Sequence, residues 1–258
     1  MRESKPCRDV HRLDMYWLKD IMNTQTSIDK SRAYVISQRQ RHENLAAAHP
    51  QLLKPAITIS HQTGAGAPEI AEQLAQVLQK TESIGDYPWS VFDRQLIEKA
   101  LEEQRWPKEL AEKITEEKRF FIDELMDDLF GLRPPSWVLV PQVVETTLRL
   151  AITGHTILVG HGATVITAKL SNVFHVRLTG SLPKRIERVQ KTRNLMPEAA
   201  AKFVRKEDRN RKKYLKAHFH ARLDNELLYD LAINTDHISN ADAVVIISEG
   251  ARRFFSAL

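Results

Sequence analysis

An α/β fold is the architecture that this sequence predicts: a five-stranded, mostly parallel sheet with helices on both faces. Three observations carry that expectation. Five short β-prone runs, at Ala56–Ser60, Trp89–Asp93, Thr156–Gly160, Val173–Leu178 and Leu231–Thr235, are apolar enough for interior strands. Stretches with helical spacing separate them, the alternation expected when parallel strands are joined by crossover helices. A glycine-containing turn links the first run to the first helix.

In chain order, residues 1–54 read as a helical extension. Thr26-Ser27 can cap a helix that runs through Ala46-Ala47-Ala48, and Pro50 and Pro55 close it. After the first strand, Ile70, Leu74, Val77 and Leu78 recur at helical spacing. The second strand leads into a helix over Arg94–Glu103. An acidic helix is expected over residues 107–130, with Leu110, Ile114, Phe121, Leu125 and Leu129 as its apolar side. Pro134-Pro135 breaks it, and Val143–Ile152 forms the next helix. The third and fourth strands follow. A basic helical segment then runs from Leu182 to about Ala217, the fifth strand comes next, and a last helix starts near Ser239 or Asn240 and ends near Phe255.

The 258 residues suffice for one sizeable core, and 42% hydrophobic with 28% charged residues is ordinary for a globular protein. Cys7 is the single cysteine, so internal disulfides and paired-cysteine metal sites are excluded. Met1–Asp20 is charged throughout and lacks the apolar run of a signal peptide, and no segment approaches a membrane span. The expected compartment is the cytoplasm. The net charge of +5 is uneven. Lys184–Lys216 carries thirteen Lys/Arg against four Asp/Glu, whereas Glu98–Asp128 carries eleven acids against six bases. An excess confined to one segment suits a polyphosphate better than a general attraction to nucleic acid.

The first strand ends in Ser60-His61-Gln62-Thr63-Gly64-Ala65-Gly66-Ala67-Pro68-Glu69. A strand, a glycine turn and a helix start present backbone N–H groups and the positive end of a helix dipole to an anion. Gly64 and Gly66 permit the turn, and Pro68 suits the first helical turn, where its missing N–H is not needed. The loop departs from the G-x-x-x-x-G-K-[ST] pattern: no lysine follows Gly66, and Ala67 and Pro68 cannot hold a metal. By itself it is either a phosphate loop or a structural strand-to-helix turn.

Seven segments taken in order extend the reading. They are Ile57–Ser60 with Gly64–Ala67, then Phe92–Glu98, Ile157–Ala163, Phe174–Leu178, Arg185–Val189, Asp208–Arg211 and Leu228–Thr235. Together they resemble the cytidylate kinase-like family, a branch of the P-loop nucleoside monophosphate (NMP) kinases, over about Pro55–Gly250. The resemblance implies a P-loop kinase-like domain over residues 55–258. It would carry a helical NMP-binding insertion at about 94–150 and a basic lid at about 182–220. It further implies ATP-dependent phosphoryl transfer to a nucleoside monophosphate, CMP or dCMP, with Mg²⁺ carried by the ATP.

In that reading Ser60, His61, Gln62, Thr63, Gly64, Ala65, Gly66, Ala67, Pro68 and Glu69 hold the ATP phosphates. Asp93, Arg94 and His161 meet the monophosphate, and Arg185, Arg188, Asp208, Arg209 and Arg211 serve the transfer. The chemistry is apt, because phosphoryl transfer asks for positioning and charge neutralisation, and guanidiniums fork onto phosphate oxygens. The bland alternatives are a solvated helix face for the arginines and a helix cap for Asp93. His161 stands where the family usually has arginine between two glycines, and histidine is only partly charged near pH 7. Losing one preorganised charge donor, as the absent lysine implies, costs roughly 10²–10³ in rate unless other groups compensate.

Two rival functions use the same residues. One is a catalytically inactive nucleotide sensor. The other is an RNA or polyanion binder using residues 184–216, in which Phe203 and Tyr214 are the only aromatic residues for base stacking. The expected partners are small-molecule nucleotides, with no membrane and no nucleic acid; no assembly state follows from the sequence. His218 and His220, two apart on a helix, share no face, so no metal site is expected.

Overall fold

The computed structural model describes residues 53–81, 88–93, 97, 139–160 and 162–257. The helices expected over Thr26–Ala48 and 107–130 lie outside the described residues, as does all of Arg94–Glu103 except Ile97; Arg94 and His161 lie outside them too.

The elements in order are β1 (Ala56–His61), α1 (Ala67–Thr81), β2 (Ser90–Asp93), α2 (Leu139–Thr153), β3 (Thr156–Val159), α3 (Ala163–Ile166) and β4 (Val173–Thr179). Then come α4 (Leu182–Arg193), α5 (Pro197–Phe219), a 3₁₀ turn at Glu226–Leu228, β5 (Leu231–Asn234) and α6 (Asn240–Ser256). The strands form one sheet in the order β2-β3-β1-β4-β5, and every neighbouring pair is parallel. β1 lies at the centre: Ile57 is level with Ile157 on one side and Phe174 on the other.

Side-chain alternation along the strands divides the core into two layers. On one face Ile57, Ile59, Ile157, Val176 and Ile233 pack with Ile70, Leu74 and Leu78 of α1 and Val244, Ile247 and Ala251 of α6. On the other, Ala56, Phe92 and Leu158 pack with Val144, Leu148 and Ile152 of α2 and with Ala163 and Ile166 of α3. Both faces are covered, as uninterrupted apolar strands require. The second face also buries a polar relay, in which Thr58 Oγ1 lies 3.1 Å from Thr164 Oγ1 and 2.8 Å from His175 Nδ1.

The chain builds β2 and β3 on one side of β1, then crosses to build β4 and β5 on the other. That reversal opens a crevice beyond the carboxyl end of β1, the position where open α/β sheets bind ligands. No helix among the described residues is long and apolar enough to cross a membrane.

The basic segment differs from expectation. It is two helices rather than one, because Asn194 ends α4 at a φ of +48° and Pro197 begins α5 at its first position. The two helices share a small core of Val189, Ala200 and Val204, with Leu182, Ile186 and Phe203 packed on it.

Candidate active site

β1 delivers the chain into the crevice and the loop turns there. Gly64 and Gly66 both take a φ of +82°, which only glycine adopts without strain. Ala65 N–H donates to Gln62 O at 3.1 Å, closing the turn, and Ala67 opens α1. Gln62 Oε1 accepts from Gly180 N–H at 2.9 Å, so this side chain pins the loop to the end of β4. The N–H groups of Gly64 and Gly66 donate to no group among the described residues. Two unsatisfied amides at the positive end of a helix form an anion cradle.

The outer side of the loop is held by guanidiniums. Arg211 Nη1 donates to His61 O at 3.3 Å and to Thr63 Oγ1 at 2.9 Å. Arg185 Nη1 donates to Thr63 O at 3.0 Å, and Arg188 Nη1 to Gly64 O at 3.3 Å. Arg188 also bonds the Thr235 hydroxyl at 2.7 Å and the Thr235 carbonyl oxygen. Asp208 ties the system together: Oδ1 accepts from Thr63 N–H at 2.8 Å, and Oδ2 pairs with Arg185 at 2.7 Å. Arg211 lies 3.8 Å from the same carboxylate. Burial raises the Asp208 pKa, but the bonds from Thr63 and Arg185 outweigh it and hold the group below the usual carboxylate value.

The arginines therefore neutralise loop carbonyls. A carbonyl facing a guanidinium no longer opposes an anion bound on the amide side, so the loop gains positive potential without a lysine of its own. His61 supplies none: burial, reinforced by Arg211, pushes its pKa down to about 3. In the neutral ring Nδ1–H donates to Gln62 O at 3.1 Å.

The crevice is a cleft of about 1270 Å³. Ser60, His61, Thr63, Gly64, Gly66, Ala67, Pro68 and Glu69 line it, with Asp93 at the exposed end of β2, Gly160 and Gly162 beyond β3, and Arg188 and Arg211. All of these but Gly160 and Gly162 were expected to act together, and they border one cavity. Gln62 and Ala65 belong to the loop but turn away from the cleft lining. Arg185 is 5% exposed and Asp208 half-buried; both lie behind the loop and outside the lining. Arg209 is exposed on α5 and also outside it. Among the described residues no cluster of three His, Cys, Asp or Glu could hold a metal ion.

Sequence reading missed four contributors. Arg177, on β4, donates from Nη1 to Ser60 Oγ at 2.7 Å, and its guanidinium lies 5.6 Å from the centre of the Tyr229 ring. Thr235 receives Arg188, and Asn240 packs its amide against Gly66. The signal for Arg177 was a lone arginine inside an apolar strand. Tyr229 and Thr235 belong to the resembling segment Leu228–Thr235 without a role attached, and Asn240 carried no signal, because Thr, Tyr and Asn near strand and helix ends have ordinary structural uses.

Three solved structures align with the chain, and the first of them agrees with it in fold. An uncharacterized protein from Eubacterium ventriosum aligns at a TM-score of 0.54 and 15% identity, covering 76% of this chain and 98% of that one. A gluconokinase from Sinorhizobium meliloti aligns at a TM-score of 0.38 and 12% identity, covering 79% of this chain and 94% of its own. A shikimate kinase from Bacteroides thetaiotaomicron gives 0.38 and 13%, covering 76% and 96% respectively. A search of curated proteins finds no match. The model of the cytidylate kinase-like family matches residues 56–237, well over half of the sequence, and the chain belongs to that family.

Proposed function

We propose that the protein transfers the γ-phosphoryl group of ATP to a nucleoside monophosphate, with CMP or dCMP as the acceptor. The observation that carries the proposal is the loop: Gly64 and Gly66, whose amides have no partner among the described residues, line a large cleft at the switch point, with guanidiniums on the loop carbonyls. Family membership supplies the reaction class.

The ATP phosphates lie on the cradle. An oxygen of the acceptor monophosphate attacks the γ-phosphorus, the bond from that phosphorus to the β–γ bridging oxygen breaks, and ADP leaves. Arg188 and Arg211 line the cleft and are close enough to the loop to exchange a loop oxygen for a phosphate oxygen. Arg185 and Asp208 act from behind, by fixing Thr63. Asp93, at the carboxyl edge of β2, faces the acceptor side of the cleft. Ala67 and Pro68 leave the loop without the usual hydroxyl ligand, so Mg²⁺ would be held mainly by the ATP phosphates that carry it.

The test is a screen of the protein with Mg-ATP against individual nucleoside monophosphates, measuring acceptor-dependent ADP. Turnover with a pyrimidine monophosphate, reduced in Arg211→Ala, supports the proposal. One observation favours the sensor reading: the Thr63 amide is occupied by Asp208 instead of being available to a phosphate. Saturable ATP binding without turnover of any acceptor would select it. The polyanion reading loses ground because Arg185, Arg188 and Arg211 turn toward the loop.

A further inference from the structure

Arg177 occupies an unusual place. It is level with Ser60 in the register of β1 and β4, at the carboxyl edge of the sheet, and it is 9% exposed. No Asp or Glu among the described residues pairs with it; Asp208, the one carboxylate acting on it at longer range, is engaged with Arg185 and Arg211. Its contacts are the Ser60 hydroxyl and the Tyr229 ring.

Those contacts do not offset its burial. One ring contact and one charged hydrogen bond return less than the desolvation of a full charge costs. Arginine does not escape by losing its proton, because its ordinary pKa is too high. A buried guanidinium without an acid is best balanced by an anion from outside, and the cleft beside it is lined by both Ser60 and Tyr229.

Ser60 connects the two. Its Oγ accepts from Arg177, so its own proton remains to be donated. Tyr229 Oη stands 3.5 Å away, too far for a strong bond, and spends its own proton on Leu223 O at 3.1 Å. The Ser60 proton is thus available to a ligand in the cleft.

We propose that Arg177 is a positioning residue for phosphate binding: it orients the Ser60 hydroxyl as a donor into the cleft and sets a permanent positive charge beneath a loop that has no lysine. The proposal rests on the reading of the cleft as a polyphosphate site. A purely structural clamp between β1 and β4 would need only length and a hydrogen bond, whereas this role needs charge.

The experiment is calorimetric titration at low salt with two probes, ATP and inorganic tripolyphosphate, on the full chain and on Arg177→Lys, Arg177→Met and Ser60→Ala. Thermal melting of each variant runs alongside. Arg177→Met is expected to weaken both probes about 10-fold or more, Ser60→Ala about 5-fold, and Arg177→Lys much less than Arg177→Met. A folded Arg177→Met with unchanged affinity for both probes overturns the proposal. If Arg177→Met does not fold, unchanged affinity in Ser60→Ala overturns it. Wild-type binding of tripolyphosphate but not ATP would leave Arg177 its role and remove the ATP reading. Binding of neither would remove both.

Discussion

Gly64 sits at a φ of +82°, and a methyl group there would overlap the carbonyl oxygen of Arg185, which is backbone and cannot move aside cheaply. Gly66 has the same φ, but its methyl would meet the amide end of Asn240 at 2.7 Å, a group that can rotate. Both substitutions should cost about 1–3 kcal/mol for the strained backbone, and Gly64→Ala should destabilise the protein further because of the overlap. Chemical denaturation measures the difference, and both variants should lose ATP affinity. Asp208→Asn removes the charge facing the buried Arg185 and should cost about 3 kcal/mol in the same measurement. His61 adds a pH dependence. Unfolded, it takes up a proton below its ordinary pKa of 6.5, whereas folded it stays neutral down to about 3. Its contribution is complete above pH 6.5 and is lost progressively as the pH falls toward 3, with a slope of at most about 1.4 kcal/mol per pH unit. His175, also lowered by burial, adds to the same trend. Denaturation midpoints at several pH values should fall on acidification across that window, and less steeply in His61→Gln. At this scale the glycines were legible, because a turn between strand and helix announces them. The roles of the arginines were not: composition shows that Arg185 and Arg211 are cationic, but only the fold decides whether they face a phosphate or a carbonyl.

At the scale of elements, the strands read from the sequence match those observed to within a residue at most ends. An interior parallel strand is a short apolar run bounded by polar turns, and both boundaries are visible in the sequence. The basic hairpin was less visible, because charged residues continue across the break and hide it. The signals were Asn194, which tolerates a left-handed backbone, and Pro197, which starts a helix well. The hairpin touches the loop through Arg185, Arg188, Asp208 and Arg211, so its turn should affect nucleotide binding more than global stability. Asn194→Val places a β-branched residue at positive φ and should cost about 1–2 kcal/mol locally. Titration with ATP should show weaker binding, while the melting temperature changes little. The sheet responds differently. Thr58→Val leaves Thr164 and His175 without their shared partner inside the core and should lower global stability by about 1–3 kcal/mol, read by thermal unfolding.

For the whole molecule, sheet order places β1 between two halves of the chain, and that placement explains why one loop meets groups so distant in sequence. Ser60 is met by Arg177, Thr63 by Asp208 and Arg185, and Gly66 by Asn240. The sequence shows the ingredients of this site and the family pattern that orders them, while the folded chain shows that a guanidinium belt stands behind a lysine-free loop. The reaction proposed for this arrangement is phosphoryl transfer between nucleotides. It is tested most directly by following ³¹P resonances of Mg-ATP and CMP incubated with the protein. CDP and ADP should appear together in equal amounts, at a rate lowered at least about 100-fold in Arg211→Ala. ATP and CMP left unchanged, with ATP bound, would contradict it.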